Sequence, residues 1–158
     1  MLRRKMVLQP ALILAGFAVF GALSAAQGPP PVSATTTPEA ARIEPAELAR
    51  ILTSNSVKPL VLQVGPKVFF QEGRIKGARY AGPGSRPEGL ELLGKTVSGL
   101  PKDQFIVIYC GCCPWNKCPN VGPAFAQLRE LGYSNVKVLY LANNFGDDWV
   151  RKGYPQER

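Results

Sequence analysis

The sequence predicts a small three-layer α/β domain with a mainly parallel central sheet and helices on both faces. Three features lead there. Short apolar runs rich in β-branched and aromatic residues, 60–64, 105–109 and 136–140, alternate with segments whose apolar residues recur at helical spacing. Glycine and proline punctuate the junctions between them. All four cysteines lie between Cys110 and Cys118, immediately after the middle run. Strands that alternate with helices need crossover connections, which set parallel strands side by side with helices over both surfaces.

Taken in order, residues 1–26 read as a signal peptide. Arg3, Arg4 and Lys5 form a charged start, Ala11 to Leu23 an uncharged apolar run, and Ser24-Ala25-Ala26 offers small side chains for cleavage. The run falls short of the roughly 20 residues a spanning helix needs, and no cysteine follows it to carry a lipid. The expected location is periplasmic or secreted, with no membrane attachment after cleavage. Residues 27–41 form a linker in which Gly28 to Pro38, rich in Pro, Ser and Thr, is expected to bury nothing. The domain is expected over 42–158.

Pro45 suits a first helical position, and Leu48, Ile51 and Leu52 make a stripe at i, i+3 and i+4, which predicts a helix over 45–54. Leu60-Val61-Leu62-Gln63-Val64 is a strand stopped by Gly65-Pro66. A helical turn over 67–72 and a bend from Gly73 to Tyr80 into a short edge strand come next, and 81–89 is a loop by composition. Leu90 to Val97 forms another helix. Phe105-Ile106-Val107-Ile108-Tyr109 is a strand buried on both faces, after which Gly111, Pro114 and Pro119 prevent continuation. From about Pro123, Phe125, Leu128 and Leu131 mark a helix that stops at Gly132, a natural C′ residue. Val136 to Tyr140 is a further strand and 148–152 a closing helical piece, with Phe145 and Trp149 expected in the core.

The chain has 158 residues, enough for one domain, and 46% hydrophobic content. Without the first 26 residues, 16 basic side chains stand against 11 acidic ones, a net charge of +5. The basic residues are scattered rather than clustered with aromatics, so no nucleic-acid partner is expected. Histidine is absent, which excludes Ser–His and Cys–His catalysis, His-ligated metals and imidazole switches.

Four cysteines in an exported chain ordinarily suggest two structural disulfides. Bridging so short a loop constrains little of the unfolded chain, so chemistry or metal better explains the clustering. Cys110 ends a strand at the carboxyl edge of the sheet, where loop amides and the positive end of the following helix face an anion. That setting is expected to lower a thiol's pKa by stabilising the thiolate, which is the nucleophile. Cys110 is the candidate catalytic residue.

The order of elements, with particular residues, resembles the rhodanese-like domain family over roughly 42–155. The resemblance rests on Ile43-Glu44-Pro45-Ala46-Glu47-Leu48, on Glu72-Gly73-Arg74-Ile75-Lys76-Gly77-Ala78 and on the strand ending Tyr109-Cys110. It continues through Leu128-Arg129-Glu130-Leu131-Gly132-Tyr133 and ends with Phe145, Trp149 and Gly153-Tyr154-Pro155. It implies a sulfurtransferase with no cofactor. Cys110 would take the outer sulfur of thiosulfate or a related anionic donor, form a persulfide, and pass it to a thiol or cyanide, with backbone N–H groups holding the charge. Gln63 and Gly65 stand where the family commonly carries Asp and Arg, and Arg74 where a histidine is frequent. The loop is longer than usual, and Pro114 and Pro119 offer no N–H.

Three readings of Cys110-x-Cys112-Cys113-x4-Cys118 remain open. Cys110 takes sulfur while Cys112, Cys113 or Cys118 resolves the persulfide as a disulfide; or the four thiolates bind Cu(I) or Zn, although the paired C-x2-C spacing of structural zinc is missing; or Cys112 or Cys113 pairs with Cys118 only to stiffen the loop. Gly111, Trp115, Asn116, Lys117 and Arg74 are candidate substrate-binding residues, with Trp115 as a lid and Lys117 as an attractor of anions. Arg79 and Arg86 are further candidates for the entrance or plain solvated residues. A non-catalytic interaction domain is the alternative to both chemistries.

Overall fold

The computed structural model describes residues 36–158; the expected signal peptide and the linker up to residue 35 lie outside the described residues. Thr37 is buried, so the expectation that the linker buries nothing fails at that residue. In chain order the regular elements are β1 Arg42–Ile43, α1 Pro45–Thr53, β2 Leu60–Gln63, α2 Lys67–Glu72, β3 Arg74–Ile75, β4 Arg79–Tyr80 and α3 Pro87–Val97. They continue with β5 Ile106–Tyr109, α4 Val121–Glu130, β6 Val136–Leu139 and β7 Gln156–Glu157. A 3-10 turn covers Trp115–Lys117 and a π-helical turn Gly146–Val150.

β1, β6, β5, β2 and β4 form, in that order, an all-parallel sheet. β5 is the middle strand, and all four of its residues are buried, as its unbroken apolar run requires. The pleat divides its side chains. Ile106 and Ile108 join Leu62, Val64 and Val138 beneath Leu93 and Val97 of α3 and Val121, Ala124 and Leu128 of α4. Val107 and Tyr109 join Val61 and Leu139 on the opposite face, against Leu48 of α1, Ile75 and Trp149. This is the three-layer α/β fold that the sequence predicts, and among the described residues no helix is long and apolar enough to cross a membrane.

Several boundaries differ for local reasons. α3 begins at Pro87, inside the expected loop, because Pro fits the first helical turn; Gly89 acts there as a packing residue, since a Cβ would meet the Pro83 carbonyl oxygen at 2.1 Å. α4 begins at Val121, two residues before Pro123, which is tolerated because first-turn N–H groups have no partner within the helix. The closing helical piece lies at Gly146–Val150 rather than 148–152, and Trp149 is fully buried while Phe145 is only partly so. β1 and β7 escape prediction, being two residues each; β7 pairs antiparallel with β3, fastened by Arg74 to Glu157 at 3.0 Å.

Candidate active site

Cys110 follows β5 directly and continues its pleat, so its side chain falls on the same face as Ile106 and Ile108, towards α4. Gly111 then turns the chain at φ +81, and a Cβ there would lie 2.9 Å from Phe145 Cβ. Three residues hold Cys110 in place. Asn120, just ahead of α4, donates from Nδ2 to Cys110 Sγ at 3.2 Å, while its Oδ1 accepts the Ser85 N–H at 3.1 Å. Gln63, at the end of β2, donates from Nε2 to the Cys110 carbonyl at 3.1 Å. At Gly65 a Cβ would lie 2.8 Å from both Cys110 Sγ and Gln63 Nε2, so only glycine leaves room for the thiol. The two positions where charge is missing are thus used otherwise: one braces the backbone of Cys110, and the other yields space to its sulfur.

All four thiols are free and form one cluster. Cys110 Sγ lies 3.1 Å from Cys112 Sγ, which lies 3.0 Å from Cys113 Sγ. The cluster's negative charge settles on Cys118. Hydrogen bonds from the Cys110 and Cys112 thiols and from the N–H groups of Asn120 and Val121 outweigh burial and hold its pKa far below the usual thiol range. Cys110 goes the other way, correcting the expectation for its thiol. The hydrogen bond with Cys112 pulls its pKa down, but the interaction with Cys118, burial and the Cys118 charge push it up to about 12. Hydrogen bonds to Cys110 and Cys118 raise Cys112, and burial, then Cys112, raises Cys113. The amides at the start of α4 do stabilise a thiolate, but it belongs to the cysteine two residues ahead of them. Among the described residues no group of three or more His, Cys, Asp or Glu is arranged to hold a metal ion.

A cavity of about 640 Å³ opens on Cys110. Gln63, Tyr109, Gly111, Cys112 and Phe145 line it, with Glu72, Glu157 and Arg158 as its charged residues. Cys110 itself is 3% exposed and lines this cavity. Of the other sequence candidates, Arg74 pairs with Glu157 and lies over Phe70 rather than lining the cavity. Trp115 is packed edge-on against Tyr140 at 5.1 Å beneath the Arg42 guanidinium, and does not cover the cavity as a lid. Asn116 and Lys117 are exposed and line a separate cavity of about 500 Å³ together with Cys118 and Arg86. Asn120 escaped prediction: an Asn in an irregular loop gives no sign of what its amide will meet.

The family model described as "Rhodanese-like domain" matches residues 44–142. The chain is similar in structure to the rhodanese-like domain of the Alr3790 protein from Anabaena sp., with a TM-score of 0.55 and 21% identity over 74% of this chain and 78% of that one. It is also similar to the BH2092 protein from Bacillus halodurans, with a TM-score of 0.57 and 22% identity over 73% and 75%. A further similarity, to an EanB variant in complex with ergothioneine, has a TM-score of 0.52 and 23% identity and spans 28% of that chain. No curated protein matches the chain. With the family match covering well over half of the sequence and these structures sharing the fold, the chain belongs to the rhodanese-like domain family.

Proposed function

We propose that the protein is a sulfurtransferase that carries sulfane sulfur on Cys110. The family often has this activity, and the observation that supports it here is a strand-end thiol, held by Asn120 and Gln63, on the wall of a cavity large enough for a small donor. In the resting cluster Cys110 is a thiol and Cys118 a thiolate. As thiosulfate reaches Cys110, the proton of Cys110 passes to Cys118. The Cys110 sulfur bonds to the outer sulfur of thiosulfate, the bond to the sulfonate breaks, and sulfite leaves with its electron pair. Cys110 is left as a persulfide anion within reach of the Cys112 N–H, which already lowers the Cys110 pKa by hydrogen bonding. A thiol or cyanide then collects the sulfur. The charged start and apolar run of residues 3–23 support an exported protein as the setting.

The test is thiocyanate formation from thiosulfate and cyanide. Activity in the intact protein that disappears in Cys110→Ser and persists in Cys113→Ser supports the reading; activity that survives Cys110→Ser overturns it.

A further inference from the structure

The cysteine cluster joins two separate cavities. The larger is lined by Cys110 and Cys112 but not by Cys118. The second, about 500 Å³, is lined by Cys118, Lys117, Arg86 and Leu90, and not by Cys110. Between the two, Cys110 and Cys118 both line a narrow cleft, about 10 Å³, together with Cys113 and Trp115. The lining of the second cavity contains two cationic residues, Arg86 and Lys117, and no Asp or Glu. The larger one contains two carboxylates, Glu72 and Glu157, against one guanidinium, Arg158.

We infer that Cys118 is a second sulfur-carrying residue, which takes the sulfane sulfur from Cys110 and presents it in the second cavity to a small anionic acceptor. The inference rests on Cys110 being the residue that first takes sulfur. In the transfer, Cys118 Sγ bonds to the sulfane sulfur as the bond to Cys110 Sγ breaks. The leaving electron pair stays on Cys110 Sγ, which takes the one proton the two residues share. The products are the Cys110 thiol and a Cys118 persulfide anion, formed without oxidant or reductant. The Asn120 and Val121 N–H groups that hold the Cys118 thiolate are placed to hold that anion too. An acceptor such as cyanide bonds to the outer sulfur and leaves as thiocyanate, restoring the Cys118 thiolate and thus the resting cluster. Two openings keep donor and acceptor from competing for one cavity, and the cationic one serves the anionic acceptor.

Trypsin cuts after Lys117 and so separates the fragment 118–129, with Cys118 alone, from 103–117, with the other three cysteines. The protein is treated with thiosulfate, its thiols are blocked, and both fragments are weighed. The expected result is one added sulfur on 118–129 that is absent in Cys110→Ser, together with a loss of at least tenfold in thiocyanate release by cyanide in Cys118→Ser, whose 103–117 fragment still takes sulfur. Sulfur confined to 103–117, with release unchanged in Cys118→Ser, overturns the relay and leaves the Cys110 reading intact. Sulfur on 118–129 that persists in Cys110→Ser overturns the relay as well. Sulfur on neither fragment removes both.

Discussion

The two ends of the sulfur cluster are made of different material. Cys110 is delivered by the most buried strand of the sheet, and what surrounds it fixes its position: glycine space at Gly65, a neutral amide at Gln63, and one Asn120 N–H group. Cys118 is delivered by an irregular loop, and what surrounds it fixes its charge, through the N–H groups that α4 leaves unpaired. A strand edge places an atom well but does little for an anion, whereas a helix start stabilises an anion wherever the loop brings it. The site therefore separates aim from charge, two properties that one cysteine at a strand end was expected to combine.

The sharpest way to break that division is to disturb the aim. Gly65→Ala pushes a methyl into Cys110 Sγ and Gln63 Nε2, each at 2.8 Å, and sulfur uptake should fall about a hundredfold, as for an ångström-scale misplacement of a reacting group. Stopped-flow loading with thiosulfate, next to a melting curve that separates misplacement from unfolding, checks it. Disturbing the charge comes second. Cys118→Ser removes the neighbour whose interaction and negative charge raise Cys110, leaving the lowering contacts with Cys112 opposed by burial alone. The Cys110 pKa should drop from about 12, so its thiolate forms at lower pH and alkylation by iodoacetamide near neutrality speeds up by about tenfold or more, one decade per pKa unit. An alkylation profile that stays alkaline in this variant would show that Cys118 does not hold the charge.

Asn120 touches both ends, so its loss should be felt mainly as stability. In Asn120→Leu the Ser85 N–H and Cys110 Sγ lose their partner, which should cost about 1–3 kcal/mol in urea unfolding. The smallest effect is expected farthest from the cluster. The Arg74 side chain is 23% exposed and its partner Glu157 37%, so Arg74→Ala should cost less than about 1 kcal/mol, detectable as slight fraying of the β3–β7 pair in hydrogen exchange.

How legible each part was in the sequence follows the same line. β5 and the position of Cys110 were readable because an unbroken apolar run with β-branched residues has one stable place in an α/β domain, the middle of the sheet. The stripe in α4 was readable for its period. β7 was not, because two polar residues become a strand only by pairing with β3, far away in the chain. Gln63 was read as a missing charge since its side chain, taken alone, does not reveal that it reaches the Cys110 carbonyl. Trp115 looked like a lid because a loop aromatic carries no periodic signal of burial; Tyr140 and Arg42 decide its place. Which thiol is ionised depended on amide directions at the α4 start, and cysteine spacing is silent on those.

That Cys110 Sγ is the atom that first takes sulfane sulfur is tested most directly by the mass of the tryptic fragment 103–117 of the Cys118→Ser variant, in which sulfur cannot pass on to 118–129, after exposure of the reduced protein to thiosulfate. The expected result is a gain of one sulfur atom that vanishes when Cys110→Ser is added and remains when Cys112→Ser is added. An unchanged mass, or a gain that survives the loss of Cys110, contradicts it.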